Sequence, residues 1–340
     1  MAYGEDQDIG RQVAALPPGG FRSLIEAGLR FEADGVPRTA AAVYRTALQA
    51  IPPNLPPGAV AVLAHAKACV DANDLALEGF LAGRLADERA RHQGARLDRF
   101  DACLDILLRK RRVYRPSPSF LYFPELPAVE FHDRADFPWL DALEAATDDI
   151  REELMGVLAD GAAALEPYIA EKAPGARWRE LNHSRRWGVF YLWRAGVPVA
   201  ENLARCPKTA AALAAWPRCD LLKTAPTAVF SILDAHTKIP PHVGVNNARL
   251  VVHLPLVVPP GCGFRVGGQR RDWEPGKAFV FDDTIEHEAW NDSDEPRAVM
   301  ILDTWNPLVT PAERALVTAL TAGVGEFYGE LPDYIASSQG

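Results

Sequence analysis

Between Thr227 and Trp305 the chain passes through a series of short apolar tracts: Thr227 to Leu233, Ala248 to Val258, Gly263 to Val266, Lys277 to Asp282, His287 to Asn291 and Arg297 to Trp305. Gly, Pro and Asn-Asp turns separate them, and no helical stretch intervenes. Short strands in this order predict an antiparallel barrel or jelly roll. A two-sheet barrel has an open mouth, which suits a metal and a small ligand.

The first third reads differently. From Phe21 to about Ala90 the apolar residues recur at helical spacing, as in Leu24, Ala27 and Phe31, then Ala41, Tyr44, Ala47 and Leu48. Asp34-Gly35-Val36-Pro37 separates two helices, and Pro52-Pro53 stops the second. A third helix is expected over 60–70 and a fourth from Leu75 to about Arg111, broken near Gln93-Gly94, giving two helix pairs of tetratricopeptide-like character. Such hairpins either bind a peptide or buttress a neighbouring domain. Tyr114 to Pro118 marks the domain boundary. The expected organisation is a flexible N-terminus over 1–20, a helical region over 21–113 and a mixed domain over 119–340, an α+β chain overall. In the mixed domain a helix is expected from Trp139 to Leu158 and a second to about Ala170, then a buried strand over 186–193 and a short helix starting at Pro207.

Composition removes several functions. At 340 residues the chain can bury a sizeable core, and its net charge of −9 gives no basic field for nucleic acid or an anionic membrane. The run Arg109 to Arg115 is read as a helix C-terminus complementing the dipole. No apolar run reaches the ~18 residues of a membrane span, and the acidic N-terminus lacks an apolar segment, so a cytoplasmic protein is expected. The five cysteines lie far apart without a Cys-x-x-Cys pair, which predicts reduced thiols rather than disulfides or a zinc site.

The chemistry-bearing residues lie in the strand-rich part. His242 and His287 are carried on separate predicted strands, with Arg297 ten residues after the second. Two histidines and a carboxylate on one face hold Fe(II) while leaving open positions, and the usual form is His-x-Asp/Glu followed much later by His. Here Gly244 stands where the carboxylate is expected. Read from spacing alone, two structural histidines and a two-histidine metal site with a position left to water both remain open. Asp282-Asp283 are read as a turn that supports His287 rather than as a third ligand, and Glu286 and Glu288 as pointing away from it. His132, His183 and His236 are expected to be structural or exposed, Cys262 to lie in a turn, and Trp187, Trp193, Trp290 and Trp305 to be core aromatics. His65 and His92 are assigned no chemistry.

Several motifs together carry a resemblance: Phe230-Ser231-Ile232-Leu233, Ile239-Pro240-Pro241-His242-Val243-Gly244, Arg249-Leu250-Val251-Val252-His253, Trp273-Glu274-Pro275-Gly276, Phe281-Asp282-Asp283-Thr284-Ile285-Glu286-His287 and Asp303-Thr304-Trp305-Asn306-Pro307. In their order and number they resemble the aspartyl/asparaginyl β-hydroxylase family over roughly Phe120 to Pro311. The resemblance implies a double-stranded β-helix, dependence on Fe(II), 2-oxoglutarate and O2, and a glycine in place of the carboxylate ligand. It implies His242 and His287 as metal ligands, and Ser231 with Arg297 on the distal carboxylate of 2-oxoglutarate, since guanidinium suits bidentate carboxylate recognition. It places His253 at the keto-acid end, and Arg249 towards a substrate or co-substrate carboxylate.

The animal aspartyl hydroxylases are similar to Arg-x-Arg-x-His where this chain has Arg249, Val251 and His253, so the second arginine is absent. The activity implied is hydroxylation of an unactivated side-chain carbon, foremost the β-carbon of an Asp or Asn residue in a peptide or protein that the N-terminal helices help to position. The alternatives are a small amino acid, a lipid acyl chain, or a non-catalytic helical-repeat binding protein with a degenerate barrel.

Overall fold

The computed structural model describes residues 13–56, 59–161, 164–171, 175–221 and 225–328. The expected flexible segment lies outside them as far as residue 12; beyond it Val13 and Leu16 are buried in a helical core. The chain divides into two compact units at Arg112/Val113.

The first unit is helical: α1 (Gly20–Ala33), α2 (Pro37–Gln49), α3 (Ala59–Arg91) and α4 (Asp98–Leu107). Ala40, Ala41, Tyr44 and Ala47 form the buried stripe of α2, which packs on α1 and on the start of α3. The expected third and fourth helices are not separate. Asp71-Ala72-Asn73-Asp74 contains neither Gly nor Pro, so the helix continues through it to a length of 33 residues. Its buried residues, Ala59, Val62, Ala66 and Val70, all lie in the first third.

The second unit contains the barrel. One sheet has the order β1-β2-β4-β11-β6-β9, with β3 on β2, and comprises β1 (Glu166–Pro167), β2 (Trp187–Arg194), β3 (Val197–Pro198), β4 (Ala228–Leu233), β6 (Arg249–Val257), β9 (Phe279–Phe281) and β11 (Arg297–Trp305). The other has the order β5-β10-β7-β8, from β5 (Thr237–His242), β7 (Cys262–Val266), β8 (Gln269–Arg271) and β10 (His287–Asn291). All the strand pairs are antiparallel. The result is an α+β unit with a cupin-like two-sheet barrel.

Strand alternation divides the larger sheet into two faces. Even-numbered Phe230, Ile232, Val252, Leu254, Met300 and Leu302 form one cluster with α5 (Leu140–Ala145) and α6 (Thr147–Ala159). Odd-numbered Leu233, Val251, Val299 and Ile301 face the other sheet and pack with Phe264, Phe281 and Ala289. The same odd face carries Ser231, Arg249, His253, Arg297 and Asp303. One sheet thus has a wholly apolar side against helices and a chemically mixed side inside the barrel.

Several elements differ from the sequence expectation. The helix expected over 139–158 is interrupted at Ala146, where the Thr147 hydroxyl donates to the Glu144 carbonyl at 2.6 Å and a new helix starts. Instead of a further helix to Ala170, Glu166–Pro167 pairs with β2; proline has no N–H for a helical ladder. Strand β5 contains Pro240 and Pro241, tolerated because it is the edge of its sheet. Cys262 opens β7 rather than lying in the turn. Two short helices, α7 (Ala200–Arg205) and α8 (Pro207–Ala212), follow β3. The last helix, α9 (Pro311–Tyr328), begins at a capping box in which Thr310 and Glu313 exchange hydrogen bonds and Pro311 takes the first helical position. Residues 310–313 carried that signal in the sequence.

Phe230 is fully buried on the even face, so Phe230→Ala is expected to cost about 3–5 kcal/mol of unfolding free energy, measured as a lowered urea midpoint with little change in m.

Candidate active site

His242 ends β5 and His287 begins β10, and the two are direct partners across the antiparallel pair. Their ring centroids lie 4.0 Å apart. The register then shifts between His287 and Ala289, so that Ala289 faces Ile239. That bulge lets both Ile239 and His242 point into the barrel although they lie three positions apart, an odd step that would otherwise put them on opposite faces.

Each imidazole is fixed in the same way. His242 donates Nδ1–H to the Pro240 carbonyl at 2.8 Å, and His287 donates Nδ1–H to the Ile285 carbonyl at 3.1 Å. A carbonyl can only accept, so both rings carry the proton on Nδ1 and present an Nε2 lone pair. Burial, with the neighbouring His287 second, holds His242 well below the usual histidine pKa, and burial brings His287 down to about 4. Two adjacent neutral imidazoles with Nδ1 committed fit the donor set for a divalent metal.

Gly244 is required by the packing. A Cβ there would come within 2.1 Å of Asp283 Oδ2, and the Gly244 N–H donates to the Asp283 carbonyl at 2.7 Å. Among the described residues, no third ligand-bearing side chain forms a set with the two histidines whose donor atoms all lie within 4.8 Å of one another. Asp282 accepts from Thr284 N–H and Oγ1, and Asp283 pairs with Arg249, so the two acids build the turn before His287. Glu286 and Glu288 both turn to Arg265, away from the barrel interior.

The pocket is lined on its other side by Ser231, His253 and Arg297. Arg297 is 1% exposed, forms no ion pair among the described residues, and lies with its guanidinium carbon 4.5 Å from the Trp273 ring centroid. Its Nε has no hydrogen-bond partner, and burial lowers its pKa to about 10. The Ser231 hydroxyl accepts from Trp187 Nε1 at 3.0 Å, which leaves its own O–H free to donate. His253 is enclosed by Phe264, Phe279 and Phe281, and its buried Nδ1 has no partner.

Arg249 behaves differently from the expectation of a guanidinium turned to a ligand. It is ion-paired with both Asp283 and Asp303, inside the pocket wall. Burial raises the pKa of both carboxyl groups against the opposing pull of Arg249. Tyr168 and Trp187, stacked with centroids 4.1 Å apart, complete the wall, and Trp178 stands edge-on to His242 at 5.1 Å. Sequence reasoning missed Tyr168 and Trp178 and read Trp187 only as core. The odd-face position of Trp187, opposite Leu233, was the available signal. His132 is half-buried against Phe137, and His236 is exposed beside Asp294; neither lines the pocket.

Residues 144–307 match the family model described as aspartyl/asparaginyl β-hydroxylase. The chain belongs to the aspartyl/asparaginyl β-hydroxylase family. An ornithine lipid ester-linked acyl 2-hydroxylase from Rhizobium tropici is 34% identical over 195 residues, covering 56% of this chain and 66% of that protein. The human aspartyl/asparaginyl β-hydroxylase is 34% identical over 156 residues, covering 45% of this chain and 20% of that protein. This member of the family therefore spans just under two thirds of the first relative and a fifth of the second. A cupin-superfamily sugar phosphate isomerase from Silicibacter pomeroyi is 12% identical over 43% of this chain and 74% of its own, at a TM-score of 0.27. The barrel of this family member is defined by the pairing of its two sheets. No helix among the described residues is long and apolar enough to cross a membrane.

Replacing Asp303 by Asn removes one partner of a buried charge while Asp283 remains, so a loss of about 3 kcal/mol is expected in chemical unfolding. Asp282 provides a pH test. Burial, the largest influence, raises its pKa to about 7, so the folded chain binds a proton there that the unfolded chain has released above its ordinary value near 3.8. That contribution to stability is present at low pH and is lost as pH rises from about 4 to about 7. Asp282→Asn should gain stability relative to the native chain across this window and hold the gain above it, read from urea midpoints at each pH.

Proposed function

We propose that the chain is an Fe(II)- and 2-oxoglutarate-dependent dioxygenase that hydroxylates an unactivated carbon and converts 2-oxoglutarate to succinate and CO2. The observation that carries this reading is Arg297. A buried guanidinium without a counter-ion costs several kcal/mol unless an anion completes it, and this one shares a pocket with two imidazoles whose Nε2 atoms face inward. A small dicarboxylate with a metal-chelating end satisfies both features.

In this reading His242 and His287 hold Fe(II), which when bound supplies the activation of O2 that an unreactive C–H bond demands. Arg297 and the free O–H of Ser231 bind the distal carboxylate of 2-oxoglutarate. His253, with its unpartnered Nδ1, contacts the keto-acid end. Gly244 and Asp283 leave no protein ligand in the usual carboxylate position, so that place is open to water or substrates. Tyr168, Trp187 and Phe281 exclude bulk water and orient the substrate.

The organic substrate read from the sequence is the β-carbon of an Asp or Asn residue, with the tetratricopeptide-like helical unit recruiting the peptide or protein that carries it. One observation favours a second reading. Arg249 is already neutralised by Asp283 and Asp303, and Val251, Ile239 and Ile301 supply apolar walls, so the pocket offers no cation to an acidic side chain beyond Arg297. An uncharged aliphatic carbon, such as that of a lipid acyl chain, fits those walls.

The test is succinate formation with Fe(II), O2 and 2-oxoglutarate, with Asp- or Asn-containing peptides in one arm and acyl lipids in the other. Turnover is expected to fall to background in His242→Ala. In Arg297→Ala the KM for 2-oxoglutarate should rise roughly 10- to 100-fold, as loss of a charged hydrogen bond of about 1.5–3 kcal/mol requires. The arm that raises succinate and gains one oxygen names the substrate class. No turnover in either arm, with no iron retained at equilibrium, would leave a non-catalytic barrel.

A further inference from the structure

The helical unit brings three metal-ligating side chains to one point. Glu32 stands in the last turn of α1, and His65 and Cys69 stand four residues apart on one face of α3. A Glu32 carboxylate oxygen, His65 Nε2 and Cys69 Sγ all lie within 4.8 Å of one another. His65 Nε2 is 2.8 Å from Glu32 Oε2, and Cys69 Sγ is 2.8 Å from Glu32 Oε1 and 3.7 Å from His65 Nε2. The cluster is braced from inside the unit: Tyr44, fully buried, donates its hydroxyl to Glu32 Oε2 at 2.5 Å. A Cβ at Gly28 would come within 2.2 Å of the Tyr44 ring, so glycine is what admits that ring.

A nucleophilic relay needs the two nitrogens of one imidazole turned to different groups, thiol on one side and carboxylate on the other. Here the same Nε2 faces both. Burial, helped by the hydrogen bond to Glu32, also pushes the Cys69 thiol up to about 12, the opposite of activation. A purely structural network would leave the Glu32 carboxylate in the last turn of α1, where the helix dipole is already negative. A cation at the point of convergence removes that conflict.

We propose that Glu32, His65 and Cys69 form a binding site for a divalent cation of the zinc class, with a fourth position left to water. Thiolate, imidazole and carboxylate together select a borderline-soft ion over magnesium or calcium. The protons balance: the thiol releases its proton to solvent, the imidazole proton moves from Nε2 to Nδ1, and the two anionic ligands match a 2+ charge. The His65 and Glu32 side chains are 28% and 27% exposed, which leaves a route for the ion and room for the water.

The test uses the full chain carrying His242→Ala and His287→Ala, so that the barrel histidines do not compete. Titration with Zn2+ is expected to give one equivalent per chain. Co2+ in its place should give a thiolate-to-metal charge-transfer absorption. Cys69→Ser, nearly isosteric, and Glu32→Gln, which keeps an acceptor for Tyr44, should each weaken Zn2+ at least tenfold while far-UV circular dichroism stays unchanged. The proposal is overturned by absence of stoichiometric Zn2+, by binding that survives Cys69→Ser undiminished, or by Co2+ bound without the thiolate band.

Discussion

The two-residue period of β4, β6 and β11 is the constraint on which the second unit depends. Because successive side chains alternate faces, one sequence has to satisfy two unlike environments at once. The even residues need only be apolar and well packed against the helices. The odd residues have to close a barrel and also place Ser231, Arg249, His253 and Arg297 inside it. A slip of one residue in any of these strands would exchange the two sets, burying guanidinium groups among leucines and turning Met300 and Leu302 into the pocket. Register is therefore specified far more strongly than by hydrophobicity alone.

The two buried arginines are held in different ways. Arg249 pairs with Asp283 and Asp303, which lie on the turn before β10 and on β11, and so ties three segments together. Removing either acid uncovers a buried charge. Arg297 lies against the face of Trp273 and has no ion pair among the described residues. Burial lowers its pKa, whereas Arg249 is raised by its carboxylates against the cost of burial. One cation is closed by two carboxylates, and the other is buried without a counter-ion among the described residues.

Legibility in the sequence followed the same division. The tracts over 227–305 read as strands because their alternation is local, and β10 and β11 fall at the expected residues. The extent of strand β5 around His242 was hidden by Pro240 and Pro241, since its tolerance for proline comes from an edge position that only the sheet order reveals. The long α3 was split in expectation at a polar run, but polarity without Gly or Pro does not end a helix. The roles of Arg249 and Arg297 were not separable by residue type. Asp303 lies 54 positions from Arg249, and nothing local announces that pair.

The two candidate centres use the two regular spacings that secondary structure offers. Directly opposed residues on antiparallel strands bring Cβ atoms to about 4.5–5.5 Å, and residues four apart on a helix to about 5–6 Å. His242 with His287 is the first case, and His65 with Cys69 the second. The second is visible as a spacing in the sequence and the first is not, because 44 intervening residues have to fold before the strands meet. What differs is how each pair is held. In the barrel, backbone carbonyls fix Nδ1 of both rings and leave Nε2 for a ligand. In the helices every backbone carbonyl nearby is committed to the helix, so a carboxylate from another helix has to bind the pair instead. That brings a negative charge with it, and a carboxylate, a thiol and an imidazole then converge where strands would have left two neutral rings.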